Sequence, residues 1–190
     1  MTARRAEARA VVLDRDGILN TVVMRGGRPS APRTLDEFEI LPGVAESLAA
    51  LSAAGFLLVV ATNQPDVARG LVTRETVEAM HDRLRAALPL DDVRVCWEVE
   101  TPASTCYKPK PGMLITAADE RGIDLGRSYM VGDRWRDVGA GKAAGCFTVF
   151  VDRGYGEVLL DRPDAACRGL AEADEIILSR DRHTFAGGAR

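Results

Sequence analysis

Ala10-Val11-Val12-Leu13-Asp14-Arg15-Asp16-Gly17 is a short apolar run that breaks into an acidic loop. Four apolar residues with a branched centre suit a buried strand better than a helix. The same grammar recurs along the chain. Residues 56–61 form a continuous apolar run followed by Thr62-Asn63-Gln64, and residues 93–97 read as a third strand. Residues 129–131 lead into Gly132-Asp133, and residues 146–151 complete the series. Helical patterns fill the gaps. Pro42-Gly43 opens one with Val44, Leu48 and Leu51 on a single face, and Gly55 ends it. Thr73 caps another over 74–88, with Val77, Met80 and Leu84 at helical spacing. Further helices are expected over 111–121, with Pro111 in the first turn, 135–144 and 170–179, whereas 21–40, with Gly26-Gly27, Pro29 and Pro32, suits a hairpin or flap. Strands alternating with helices give an α/β fold, a Rossmann-like three-layer sandwich around a parallel sheet. Ligands bind beyond the carboxyl ends of such strands, so the three polar clusters should meet at one edge.

The 190 residues are expected to form one domain, with the flap at about 20–41 and a helical C-terminal segment at about 165–190. With 46% hydrophobic and 28% charged residues the chain can bury a core, and a net charge of −3 offers no basic field for nucleic acid or an anionic membrane. The longest strictly apolar run, 56–61, falls far short of the roughly 20 residues of a membrane span. Arg4, Arg5 and Arg9 precede an apolar stretch that meets Asp14 too soon for a signal peptide, so a cytoplasmic location is expected. Cys96, Cys106, Cys146 and Cys167 are too scattered for a disulfide scaffold. Only three of the 25 basic residues are lysines: Lys108, Lys110 and Lys142. A lysine kept in so arginine-rich a chain draws notice, because a compact ammonium is not interchangeable with a guanidinium fork.

Two carboxylates two residues apart at a strand end, Asp14 and Asp16, suit a nucleophile and a divalent cation in one place. Gly17 permits the tight backbone that turns both towards one pocket; read alone, the stretch is equally an acidic capping loop. Thr62-Asn63-Gln64 offers a hydroxyl and backbone N–H groups for a phosphate, or simply a polar turn. Lys108 sits among Pro109 and Pro111, where a fixed ammonium would neutralise phosphoryl charge. Asp133 can complete a metal site, and Asp137, one helical turn later, either braces Lys108 or occupies the first turn of its helix.

In this order the set resembles the haloacid dehalogenase superfamily of phosphohydrolases: D-x-D-G, a strand-end Thr, a Lys, then G-D-x-x-x-D, across residues 11–151. The phrases L-D-R-D-G-x-x-N (13–20), T-N-Q-x-x-x-A-R-G (62–70), K-P-x-P-G-M (108–113) and M-V-G-D (130–133) look like the subgroup of heptose bisphosphate and histidinol-phosphate phosphatases. The short span from Thr62 to Lys108 leaves no room for a large cap domain. The resemblance implies a Mg²⁺-dependent phosphomonoesterase acting on a small phosphorylated metabolite. Its expected substrate is a heptose 1,7-bisphosphate losing the 7-phosphate, with histidinol phosphate or another small phosphorylated metabolite as the alternative and a catalytically silent phosphate-binding protein as the alternative of another class. By position, Asp14 would be the nucleophile and Asp16 the general acid and base. Thr62 and Lys108 would hold the phosphoryl group, and Mg²⁺ would lie between Asp14, the Asp16 carbonyl and Asp133. Arg15, Asn20, Asn63, Gln64, Tyr107 and Arg134 would contact substrate.

Three departures qualify the resemblance. The family's zinc loop reads C-x-H and then C-x-C; here Cys96 and Cys106 are kept, but Glu98 and Ser104 replace the other ligands, so structural zinc is not expected and two ordinary thiols are. The family's arginine before the motif lysine is Tyr107. Arg25, Arg28 and Arg33 of the flap are either ligands for a distal phosphate or solvated residues. His81 and His183 are expected at the surface, and Trp97 and Trp135 in packing.

Overall fold

The computed structural model describes residues 8–185; Arg4, Arg5 and the end of the C-terminal segment lie outside them. Six parallel strands form the central sheet in the order β5-β4-β1-β6-β7-β8. They are β1 (Ala10–Leu13), β4 (Leu57–Asn63), β5 (Asp92–Cys96), β6 (Tyr129–Gly132), β7 (Phe147–Val151) and β8 (Ala165–Cys167). The hairpin of β2 (Val23–Arg25) and β3 (Arg28–Ser30) forms the flap. The helices are α1 (Val44–Ala53), α2 (Pro65–Ala68), α3 (Arg74–Ala87), α4 (Gly112–Arg121), α5 (Trp135–Ala144) and α6 (Leu170–Phe185).

All four residues of β1 are buried, because two hydrophobic layers sandwich the sheet. Val11 and Leu13 face a cluster with Leu48 and Leu51 of α1 and Ile177 of α6; Ala10 and Val12 face Met113, Leu114 and Ala117 of α4. Burial on both faces is why the strands read as unbroken apolar runs. The chain moves from β1 outward to β4 and β5, then returns to β6 on the other side of β1. The order reverses beside β1, and a crevice opens there at the strand ends.

Two expectations fail in the C-terminal third. Residues 165–167 form edge strand β8 rather than helix, and α6 runs six residues beyond 179. Three residues are too few to show a period, and Asp164 fixes the strand from outside by accepting hydrogen bonds from the Thr148 amide and hydroxyl at 2.8 and 2.9 Å.

Candidate active site

Asp14 follows the last residue of β1, Asp133 follows β6, and Lys108 arrives from the loop between β5 and α4. The lysine Nζ donates to Asp14 Oδ1 at 2.7 Å, Asp137 Oδ1 at 2.6 Å and the Ala61 carbonyl at 2.7 Å. All three of its protons are used, and its charge lies between two carboxylates. Asp137 does both things the sequence allowed: it holds Lys108, and its Oδ2 accepts the Arg134 N–H at 3.0 Å to cap α5. Asp133 packs on the Gly17 backbone, where a Cβ would lie 2.0 Å from its Oδ2, and Gly17 holds φ +88°. Gly132 leaves similar room, since a Cβ there would lie 2.2 Å from that of Asp137.

The electrostatics call for a cation. Carboxylate oxygens of Asp14, Asp133 and Asp137 lie within 4.8 Å of one another, and both Asp133 oxygens are buried without a hydrogen-bond partner. Burial, reinforced by Asp137 and Asp16, pushes Asp14 up to about 7 despite the neighbouring Lys108. Burial and the charge of Asp14 raise Asp133 well above the carboxylate range. Lys108 is raised, because Asp137 and Asp14 outweigh its desolvation. Unpartnered oxygens on a crowded carboxylate cluster fit a hard divalent ion such as Mg²⁺.

A cavity of about 310 Å³ opens over this cluster. Of the residues picked out in the sequence, Asp14, Asp16, Asn63, Gln64, Tyr107, Lys108, Asp133 and Arg134 line it. Asn63 ties the lysine loop to β4, its Oδ1 accepting the Lys108 N–H at 3.0 Å and its Nδ2 donating to the Lys108 carbonyl at 3.2 Å. Three residues are placed otherwise. Thr62 is buried beneath the cavity, where its hydroxyl accepts from Gln64 Nε2 at 2.9 Å. Asn20 and Arg15 are fully buried behind Asp16, so they hold that carboxylate instead of meeting substrate. The resemblance had implied a substrate contact for Arg15; the fold turns its guanidinium inward.

His81, expected at the surface, is also fully buried, with Nε2 3.1 Å from Arg15 Nη1. Burial and the Arg15 charge push it down to about 4, so it is neutral at physiological pH. Its place between Met80 and Leu84, in register with Val77, was the signal for a core position. Among the flap arginines, Arg33 lines the cavity and pairs with Asp66 at 2.9 Å. Arg25 is held within the flap by Glu37 at 2.5 Å and the Ala31 carbonyl at 2.8 Å, and Arg28 is exposed. Cys96 and Cys106 are joined as a disulfide rather than standing as two thiols, because the loop between them folds back to a Cα separation of 5.5 Å. Glu98 lies within 4.8 Å of both sulfurs, but a disulfide has no thiolate, so this form offers zinc one charged donor. Among the described residues, no helix is long and apolar enough to cross a membrane.

Comparison with known proteins agrees with this geometry. Residues 105–173 match the HAD-hydrolase-like family model. The chain is 35% identical over 191 residues to the D-glycero-D-manno-heptose-1,7-bisphosphate 7-phosphatase of Thermosynechococcus vestitus, covering 88% of this chain and 94% of that one. It is 37% identical over 158 residues to the corresponding Pseudomonas aeruginosa enzyme, covering 80% and 86%. The crystal structure of D,D-heptose 1,7-bisphosphate phosphatase from B. bronchiseptica, complexed with magnesium and phosphate, superposes with a TM-score of 0.78 at 31% identity, covering 90% of this chain and 99% of that one.

Proposed function

Since the chain belongs to the heptose-bisphosphate phosphatase family of haloacid dehalogenase-like hydrolases, we propose that it is a Mg²⁺-dependent phosphomonoesterase that removes the 7-phosphate from D-glycero-D-manno-heptose 1,7-bisphosphate. The observation that carries the reading is the buried Asp14–Lys108–Asp137 array beside an unpartnered Asp133. Asp14 is the nucleophile: its carboxylate attacks phosphorus, the ester P–O bond breaks, and an aspartyl-phosphate forms. Asp16 gives its proton to the departing alkoxide, then takes one from the water that attacks the acyl phosphate, releasing inorganic phosphate and restoring Asp14. Lys108, fixed by Asp137, offsets charge on the phosphoryl oxygens. Asp14, Asp133 and the backbone at Asp16 would hold Mg²⁺, which when bound supplies the positive charge that keeps Asp14 ionised and shields the phosphoryl group.

A substrate panel tests this: heptose 1,7-bisphosphate, its two monophosphates, histidinol phosphate and p-nitrophenyl phosphate, each with Mg²⁺ and with EDTA. The expected result is highest kcat/KM on the bisphosphate, release of the 7-phosphate, loss with EDTA and recovery on adding Mg²⁺. Preference for histidinol phosphate would replace the substrate, and no turnover on any ester would replace the enzyme with a phosphate-binding protein.

A further inference from the structure

We propose that Arg15, held by His81, is a positioning residue for Asp16, and that proton transfer to the leaving group depends on this buried pair. The inference rests on the reading of Asp16 as the acid–base group. Arg15 is the largest fully buried side chain of the described residues, and a guanidinium removed from water must have its donors paired. Its Nε and Nη2 donate to Asp16 Oδ1 at 3.1 and 2.9 Å, and Nη2 also reaches Oδ2 at 3.0 Å. Its remaining edge points away from the cavity, where Nη1 donates to His81 Nε2 at 3.1 Å.

Arginine has no acceptor, so Nε2 of His81 carries no proton and Nδ1 does; that nitrogen faces Glu78 Oε2 at 3.4 Å. The low pKa of His81 accords with the neutral ring. A line of contacts therefore runs from α3 through His81 and Arg15 to Asp16, with the Phe38 ring 5.9 Å from the guanidinium. From the other side, Asn20 Nδ2 donates to Asp16 Oδ1 at 2.9 Å and Gln64 Nε2 to Oδ2 at 2.8 Å. The carboxylate plane is fixed by three side chains, two of them out of reach of substrate. A point charge at residue 15 would neutralise Asp16 equally well. Only a planar fork grips one carboxylate with two nitrogens while giving the third to a histidine.

Proton transfer is sensitive to such placement, and an error near 1 Å is worth about 10²-fold in rate. The test compares R15K, H81N and H81Q with wild type on alkyl phosphates, whose leaving group needs a proton, and on p-nitrophenyl phosphate, whose leaving group does not. Rapid-mixing measurement of the first turnover isolates formation of the aspartyl-phosphate. R15K and H81N are expected to lose about 10²-fold in first-turnover rate on the alkyl ester at unchanged KM, and well under 10-fold on the aryl ester. H81Q, whose amide oxygen reaches the position of the imidazole Nε2, is expected to recover most of the H81N loss. R15K and H81N act on opposite ends of the pair, and thermal melts identify a variant that fails to fold, leaving the other to decide. Equal losses on both esters in a folded variant, no loss on either, or H81Q no better than H81N overturns the positioning role alone. A wild-type protein inactive on both esters overturns the phosphatase reading and this role with it.

Discussion

The floor of the cavity and its rim are held by different physics. On the floor, Asp14, Lys108, Asp133 and Asp137 are all at most 8% exposed, so each ion pair stands between largely buried groups. On the rim, Arg33 and Arg69 share Asp66, Arg134 meets Glu157, and Arg136 meets Glu100, all with partly exposed arginines. Removing one partner of a buried pair leaves an uncompensated charge and costs about 3–5 kcal/mol, whereas an exposed pair contributes about 0–1 kcal/mol. The floor tolerates few changes, and the proposed mechanism places the chemistry there. The rim can be altered at little thermodynamic consequence.

The sharpest break in the comparison is Asp14→Asn. The amide is nearly isosteric and relieves some of the carboxylate crowding, so the fold should persist with unchanged circular dichroism. Turnover is expected to fall on the order of 10⁴-fold or more on every ester, because the nucleophile is gone. Asp16→Asn comes next, with a loss of about 10²–10⁴-fold that is larger for alkyl than for aryl esters. Steady-state assays on both ester types check both variants. If Asp16→Asn kept wild-type rates on a poor leaving group, the acid–base role would belong elsewhere.

Floor and rim also differed in how far the sequence revealed them. Asp14, Asp133 and Lys108 were legible because a strand end or a proline-stiffened loop fixes where such residues go without reference to distant partners. Arg15 and Asn20 lie in the same motif and were misplaced, since which side of a loop faces inward is settled by what packs against it. For Arg15 that is α3, some 66 residues away in the chain. His81 stood on the apolar stripe of Val77, Met80 and Leu84, and the stripe outweighed its polarity once Arg15 supplied a buried donor. The rim pairs were not legible at all. In a chain whose 25 basic residues are nearly all arginine, composition says nothing about which guanidinium meets which carboxylate.

His81 gives a prediction that reaches below the floor. Its folded pKa of about 4 lies beneath the ordinary 6.5, through burial first and then Arg15, against the opposing pull of Glu78. The unfolded chain therefore takes up a proton that the folded chain refuses. Stability from this group is full above about pH 6.5 and is lost as pH falls towards 4, by up to roughly 3 kcal/mol. Other carboxylates add slopes of their own, so the informative quantity is the difference between wild type and H81Q in urea unfolding from pH 7 to 4. Wild type should lose stability relative to H81Q across that window, and parallel curves would mean that the ring charges without penalty.

The smallest effect is expected at the rim, from Arg33→Ala. Arg33 Nε and Nη2 both lie 2.9 Å from Asp66 Oδ2, but Asp66 is also held by Arg69 at 3.1 Å, so the substitution strands no buried charge. The Arg33 backbone N–H, which donates to Glu37 Oε2 at 2.7 Å, is untouched, and the flap keeps that anchor. A stability change below about 1 kcal/mol follows. Arg33 nonetheless lines the cavity, so a substrate with a second phosphate loses a guanidinium that a monoester never needed. KM for the bisphosphate should rise by up to about 10-fold, equivalent to about 1.4 kcal/mol, with kcat and the p-nitrophenyl phosphate kinetics unchanged. Arg25→Ala is the control, because Arg25 is spent inside the flap on Glu37 and the Ala31 carbonyl and should leave both KM values alone. Were Arg33→Ala to lower kcat on both esters, the flap would be contributing to the chemical step, and the division between floor and rim would not hold.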